Sequence, residues 1–561
     1  MTWFGGCAPG SAVVAPVGAR LVWTDPPLWT LGDVPTHRLH LHDDGEVRVA
    51  VIGTCAVIRD ELARVARSPE PSDLMSWPGS YVVVRRTASG SAEIITDVTG
   101  ALPLYSMTAP EGPRVWGSSS RALAGLARTG IDTEWLASYL HKREDPLPGR
   151  SPWVGVVSVP PGHRMVLGSG GSVAITPWWT PKRREPDEAV SRLRHALVGG
   201  VRKRATSTAV SCDVAGLDSS TIAAIASRYT PLTGVTAHPT GVTTDGDMDY
   251  AASLNTPNLT RVTLPVDDRH LPFTESDIPL PATDEPAPST AAWAKLSAQL
   301  ARVAEAGSGC HLTGDGGDNL FLPPPTHLID LARDRRLLRL VRDVLVWSRL
   351  RRISPWSVMR AVRRADVDGL SRPVSARPTW LSEHIPESRG QNIHDGADTA
   401  LLADIRYVAR SAHAEIQLAE SVGVELHNPY LDGAVVDAVV SAPPWTRFSA
   451  YRYKPLVVDA IGDLLPSRVR ERTTKGVFAG DFHRGVRANH TRLLELCGGR
   501  LADMGLIDPA PLRATVRAAA LGAQTPWPEL LTALDAETWL RTVEGAPTCE
   551  WERLAGSGAT P

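Results

Sequence analysis

Two textures of hydrophobic patterning divide the chain. Up to residue 176, short apolar or alternating stretches such as Val47–Ile52 and Tyr81–Val84 lie between turn signals, Asp43-Asp44-Gly45 and Ala88-Ser89-Gly90. With one helical stretch, Arg59–Ala66, this predicts an α+β domain of packed sheets. A Pro-, Trp- and Arg-rich segment, 177–186, reads as a linker. Beyond it the period changes. A strand over Ala209–Cys212 meets a turn at Gly216 and a helix from about Ser219. A strand over Val235–His238, a helix over Ala291–Ala306 and a short strand at His311–Thr313 follow. Strands alternating with helices predict a mainly parallel sheet with its ligands at the strand C-terminal ends. From Leu328 onward helices dominate. The expected layout is a domain over 1–176, the linker, a second domain over 187–545 and a flexible tail over 546–561, frayed from Gly556 to Pro561.

Composition narrows the setting. With 561 residues, 43% hydrophobic and 21% charged, the chain can form more than one globular core. A net charge of −2 exerts no overall pull toward nucleic acid or an anionic membrane. The six cysteines include no CxxC pair, which suits a reducing compartment. The N-terminus lacks the basic and apolar regions of a signal peptide. The most apolar candidate span, Leu337–Ile353, is interrupted by arginines. A cytoplasmic protein with neither nucleic-acid nor membrane partners is expected.

Two segments carry candidate chemistry. In Val210–Ile222 a strand runs through a small-residue turn, Val214-Ala215-Gly216-Leu217, into a helix opening with Asp218, Ser219 and Ser220. Backbone N–H groups in such a turn can cradle phosphate, the serines can donate to it, and Asp218 can hold Mg²⁺. A plain capped helix uses the same residues. The second segment, Leu312-Thr313-Gly314-Asp315-Gly316-Gly317-Asp318, places three glycines and two carboxylates after a strand. It suits close ligand approach, metal binding or proton transfer, and equally an Asp/Gly surface turn.

Together these segments resemble the asparagine-synthetase superfamily, with its SGGxDS pyrophosphate loop and its Gly-x-Gly-x-Asp second loop. The likeness continues in order through Trp77-Pro78-Gly79, Asp97 with Pro103-Leu104-Tyr105, Trp116-Gly117, Val159-Pro160-Pro161-Gly162 and Trp178-Trp179. It goes on through Asp249-Tyr250-Ala251, Asp284-Glu285-Pro286, Asn428–Asp432, Tyr453-Lys454-Pro455, Leu465-Pro466 and Arg472-x-x-Lys475-Gly476. The resemblance implies an N-terminal glutaminase-like (Ntn-type) α+β sandwich followed by an α/β adenine-nucleotide α-hydrolase (PP-loop) synthetase domain with extra helices. It implies ATP and Mg²⁺ as cofactors. Ala215, Gly216, Leu217, Asp218, Ser219, Ser220, Gly314, Gly316 and Gly317 would hold the nucleotide, Asp218 and Asp318 the metal, and Lys454 would be the catalytic cation. Asp315 stands where relatives carry a tyrosine or glutamate and is the candidate base.

Two departures matter. Thr2 replaces the family's cysteine nucleophile, with Cys7 further on, and the Ser-Gly-Gly of the pyrophosphate loop becomes either Val214-Ala215-Gly216 or a loop one residue short. Superfamily members without that cysteine include the β-lactam synthetases and the lasso-peptide cyclases, and the Thr-Gly-Asp-Gly-Gly-Asp loop is most like the latter. This implies a precursor peptide as substrate, with a leader-peptide-binding protein and a cysteine protease as partners. A small-molecule amide synthetase and a non-catalytic peptide-binding scaffold are the alternatives. His37, His40 and His42 read as strand residues rather than metal ligands. The arginine-rich stretch from Arg333 to Arg364 reads as solvated helix faces or as a docking surface.

Overall fold

The computed structural model describes the chain except residues 1, 68–73, 75–76, 111, 145, 170, 207–208, 242–245, 257, 325, 367–369, 371–376, 384, 386–395, 450, 473–478 and 555–561. The Lys475-Gly476 motif and the terminal Gly556–Pro561 segment lie outside the described residues.

The first domain is built from two six-stranded sheets. Their strand orders are 157–159, 104–108, 114–117, 3–7, 27–31, 20–24 and 173–177, 163–167, 92–95, 79–86, 48–55, 39–43. The strand Arg48–Cys55 shows why they stack. Alternate residues point to opposite faces. Ala50 and Ile52 meet Phe4, Leu28 and Trp116 of the other sheet, while Val49, Val51 and Cys55 meet Leu62 and Val65 of the helix Arg59–Arg67. The far face of the first sheet is covered in turn by Leu123 and Ala124 of the helix Ser120–Ala127. Gly5 and Gly6 are required by this packing. A Cβ on Gly5 would lie 2.6 Å from the Trp29 ring, and one on Gly6 would lie 3.0 Å from the Trp116 ring.

The second domain centres on a five-stranded, all-parallel sheet of β1 (Val210–Asp213), β2 (Leu232–Pro239), β3 (Leu259–Val266), β4 (Cys310–Leu312) and β5 (Glu425–His427), in the order β3-β2-β1-β4-β5. Around it lie α1 (Pro186–Arg204), α2 (Leu217–Ala226), α3 (Gly246–Ser253), α4 (Trp293–Glu305), α5 (Gly317–Phe321), α6 (Leu337–Arg351), α7 (Pro355–Arg364), α8 (Gly396–Glu420) and α9 (Pro455–Ile461). The main core packs α1, α2 and the N-terminal half of α8 on this sheet. The last strand of the first domain ends at Pro177 and α1 begins at Pro186, which leaves the expected linker between them.

The tail departs from expectation. Rather than a flexible end from 546, residues Trp551–Leu554 form a strand antiparallel to Val13–Pro16 of the first domain. Trp551 drives this, packing edge-on against Trp3 and Trp29 at 5.6 and 5.7 Å.

Buried charge joins the domains. Arg204 of α1 donates two bonds to Asp432, at 2.7 and 2.8 Å, and Ser80 of the first domain donates a third at 2.7 Å. Asp284 accepts from Ser119 and from Gln417 of α8, at 2.7 Å each. Breaking such a pair strands a charge in a low-dielectric interior. Asp432→Ala is therefore expected to lower unfolding free energy by about 3–5 kcal/mol, and Arg204→Met with Asp432→Leu to recover most of it. Urea denaturation reads both; a loss under ~1 kcal/mol for the single variant would contradict the assignment.

Candidate active site

β1 lies mid-sheet between β2 and β4. The chain leaves β1 toward β2 and leaves β4 toward β5, so the two following loops diverge and open a crevice. The loop after β1 runs through Ala215 into α2, with Gly216 as cap. The first turn of a helix has N–H groups without intrahelical partners, here aimed at the crevice. The loop is braced on all sides. The Ala215 N–H donates to Ser219 Oγ (3.1 Å), Tyr430 O–H to the Asp218 carbonyl (3.2 Å), and Arg472 to the Ala215 carbonyl (3.0 Å) and to Asp247 (2.7 Å). The second loop presses against the first through its glycines. A Cβ on Gly314 would sit 2.7 Å from the Ser219 nitrogen, and one on Gly317 would sit 2.4 Å from the Asp218 carboxyl carbon.

Where the loops meet, Lys454 Nζ donates to both Asp218 Oδ2 and Asp318 Oδ1, the latter at 2.7 Å. The Lys454 side chain is fully buried, whereas Asp218 and Asp318 remain partly exposed. Burial alone would lower the lysine's pKa; the two carboxylates outweigh it and hold the pKa above its ordinary value. Lys454 adopts a left-handed backbone, φ 44°, as it caps α9, a conformation that costs a non-glycine residue on the order of 1–3 kcal/mol. The ammonium is thus a cation already seated on the expected metal pair. The outer oxygens of Asp218 and Asp318 suit Mg²⁺, and the N–H groups of the α2 N-terminus suit phosphate, so the donor set fits a magnesium nucleotide.

The cleft above measures about 730 Å³. Val235, Ala237 and Met248 offer an apolar seat on one side; Asp213, Asp315 and Glu415 of α8 form an acidic wall on the other. Asp315 is exposed, its N–H held by Thr313 Oγ1 at 3.2 Å. Burial, then the charges of Asp315 and Asp213, push the Glu415 carboxyl up to about 8. Asp213 accepts from Gln299 (2.6 Å) and pairs with His311 Nε2 (3.1 Å), whose Nδ1 meets Ser211 Oγ at 2.8 Å. This Ser–His–Asp row is no nucleophile triad, because Ser211 lies buried inside β1; it orients Asp213.

The residues expected from sequence therefore converge, with corrections of detail. Ala215, Gly216, Asp218, Ser219, Gly314, Asp315, Gly316 and Asp318 line the cleft. Leu217 and Ser220 turn into the core behind it, leaving only their backbone for a ligand. Gly317 sits against Asp218. Lys454 faces the carboxylates rather than open cleft. Glu415 and Asp213 were not foreseen: no motif surrounds Glu415, and only its place on α8 brings it to the cleft. In the first domain, the Thr2 N–H donates to Glu420 of α8 at 3.1 Å. Cys7 is buried with its thiol donating to Val14, and burial pushes it up to about 11, far from a reactive thiolate. Among the described residues no His, Cys, Asp and Glu cluster of three or more forms a further metal centre.

A central parallel sheet, a phosphate-type loop at its switch point and a cation-bridged carboxylate pair define an α/β nucleotide-using enzyme. The chain belongs to the asparagine synthase family, whose model matches residues 192–541. ATP-dependent amide-bond formation is the chemistry that goes with that family. Solved structures similar to the chain include the allosteric regulatory enzyme of purine biosynthesis, at 11% identity over 56% of this chain and 80% of that one, with a TM-score of 0.21. Another is glutamine phosphoribosylpyrophosphate amidotransferase from B. subtilis complexed with ADP and GMP, at 11% identity over 58% and 76%, with a TM-score of 0.20. No curated protein matches the chain.

Asp218→Asn, Asp318→Asn and Lys454→Met are each expected to cut ATP–pyrophosphate exchange by about 10²–10⁴. Lys454→Met also leaves two facing carboxylates without their cation, so added Mg²⁺ should raise its Tm more than that of the wild type. Wild-type exchange in either aspartate variant would remove the shared-metal assignment.

Proposed function

We propose that the protein is a macrolactam synthetase of the lasso-cyclase kind. It activates an Asp or Glu side-chain carboxylate of a precursor peptide and joins it to that peptide's N-terminal amine, releasing AMP and pyrophosphate. The observation that carries this reading is Thr2. The nucleophile position of the glutaminase-like domain holds no thiol, and its backbone is tied to Glu420. Without ammonia from glutamine, the amine must come with the substrate. A leader-peptide-binding protein and a cysteine protease are the partners that would deliver such a peptide with a free N-terminus.

Magnesium-bound ATP supplies the adenylyl group, so that the peptide carboxylate becomes an acyl-adenylate as pyrophosphate leaves. The chain's own residues do the rest. Asp218 and Asp318 hold the metal, the α2 N-terminus and Ser219 hold phosphate oxygens, and Lys454 adds positive charge behind the departing group. On the opposite wall the amine attacks the acyl carbon, AMP departs, and the amine's proton passes to a carboxylate. Asp315 and Glu415 face this step as a pair. Glu415 has the proton affinity of a base working near neutrality, raised first by its burial and then by the charge of Asp315. Holding amine and activated carboxyl in contact provides most of the acceleration.

Because its pKa is raised, Glu415 is protonated below about 8 and competent above it. Macrolactam formation, read by mass spectrometry as loss of one water, should rise through that pH and then level off. Glu415→Gln should slow ring closure by about 10²–10⁴ and abolish the rise. Hydroxylamine should still trap the activated carboxylate in that variant as a hydroxamate. Asp315→Asn removes a negative neighbour and should move the rise to lower pH. Equal loss of hydroxamate and macrolactam in Glu415→Gln would sink the base role; no hydroxamate with any peptide would sink the peptide reading.

Glutamine hydrolysis is the second test. No glutamate release above that of a Thr2→Ala control is expected. Robust release that the control loses would mean that the first domain supplies ammonia after all.

A further inference from the structure

The whole-chain charge of −2 hides a strong local imbalance. Between Arg333 and Arg364 there are eleven arginines against two aspartates, Asp334 and Asp343. Asp343 is buried beneath Arg339, Arg342 and His327 at 3.5–3.7 Å. Several other guanidiniums of the segment rest on aromatic rings instead of carboxylates. Arg336 lies over Trp445 at 3.8 Å and Arg351 over Trp347 at 4.8 Å. Stacking leaves the positive charge available.

The same surface exposes large apolar side chains. Leu338 is 93% exposed, Trp356 80% and Leu350 70%, with Leu337, Val341, Leu345 and Ile353 beside them. On α6, Leu338, Val341 and Leu345 recur at helical spacing on the face turned away from the core. The inner residues Leu340, Val344, Trp347, Val358 and Val362 bind α6 and α7 into a small cluster of their own with the helix His327–Arg333. The outward leucines are therefore surplus to the core.

We infer that the outer face of α6 and α7 docks on an anionic lipid surface, with Leu338, Leu350 and Trp356 entering the acyl boundary and the flanking arginines meeting lipid phosphates. Three arguments select this occupant. The apolar side chains protrude into solvent, and none lines the active-site cleft or the other large cavities of the described residues, which favours a broad surface over an inserted helix. Nucleic acid would satisfy the arginines and leave the leucines in water. A second copy would set like charge against like. An anionic bilayer accepts both kinds of side chain at once. No helix among the described residues is long and apolar enough to cross a membrane, so the contact is peripheral. The expectation of no membrane partner rested on the charge of the whole chain; the local density reverses it. The patch also bears on the active site, because Asp330, in the helix beneath it, accepts from the Ala397 N–H at the start of α8 (2.7 Å), the helix that carries Glu415.

The test is sedimentation of the full chain with phosphatidylcholine vesicles and with vesicles containing phosphatidylglycerol. Partition should be at least about tenfold stronger with the anionic vesicles and should fall with salt. Leu338→Glu with Trp356→Glu, and separately Arg349→Glu with Arg352→Glu, should each weaken it about tenfold. All these residues are exposed, so ATP–pyrophosphate exchange should stay intact in both variants. Equal partition to neutral vesicles, binding unchanged in both variants, or capture by heparin or an acidic polypeptide without vesicle binding would overturn the assignment.

Discussion

A buried ammonium between two carboxylates organises the second domain. Asp218 follows β1, Asp318 follows β4 and Lys454 precedes α9, so three distant stretches of chain converge on one point. The wholly buried ammonium would not be tolerated there alone, and the two partly exposed carboxylates would repel each other without it. The lysine can be buried only if both loops are in place, and the loops can carry facing carboxylates only if a cation lies between them. Contact this close also dictates glycine at 314 and 317, where any side chain would strike Ser219 or Asp218. The contacts that close the two loops on each other are therefore also a condition for folding, and Lys454 accepts a left-handed backbone to complete them.

The first domain has a comparable structural logic, because its side chains complete buried charges of the second. Ser80 completes the Arg204–Asp432 pair, and Ser119 completes the coordination of Asp284. Asp432 and Asp284 lie in the second domain, and both would be short of a donor without the first. The final strand, held by Trp551 against Trp3 and Trp29, fastens the chain's end to the same domain. A domain so placed is a structural partner of the second domain.

What was legible in the sequence was what is local. Glycine, aspartate and serine in a strand–turn–helix context mark a tight loop opening a helix, because the backbone geometry favours those residues. The alternation of Arg48–Cys55 betrays a strand for the same reason. Lys454 was legible only through resemblance; nothing in Tyr453-Lys454-Pro455 announces a buried cation or a left-handed turn. Glu415 and Asp213 escaped because their roles come from packing: one is a single carboxylate in a long helix, the other sits a residue before the motif. The Trp551 strand was lost because small polar residues after it gave the segment the look of a frayed end. The arginine-rich helices were read as solvated faces or a docking surface, because sequence alone does not show which apolar side chains among the arginines stay exposed.

The position of Glu415 shows how the two domains meet in the chemistry. α8 turns Val408, Ser411, Ala412 and Glu415 toward the cleft. Its N-terminal half packs in the core on the sheet, and further along several polar groups are tied to neighbours in the second domain and in the first. Arg410 pairs with Glu285 at 2.9 Å, His413 and Gln417 reach Asp284 at 3.2 and 2.7 Å, and Glu420 receives the Thr2 N–H. These ties flank Glu415 on both sides along the helix, so its direction is set by contacts it does not itself make. A carboxylate at that place is oriented before any ligand arrives, and burial, with the charges of Asp315 and Asp213, raises its pKa to about 8. Asp284 is held in turn by Ser119 of the first domain, so the sandwich holds the helix that holds the carboxylate. The first domain thus fixes the direction of a carboxylate in a cleft that it does not itself line.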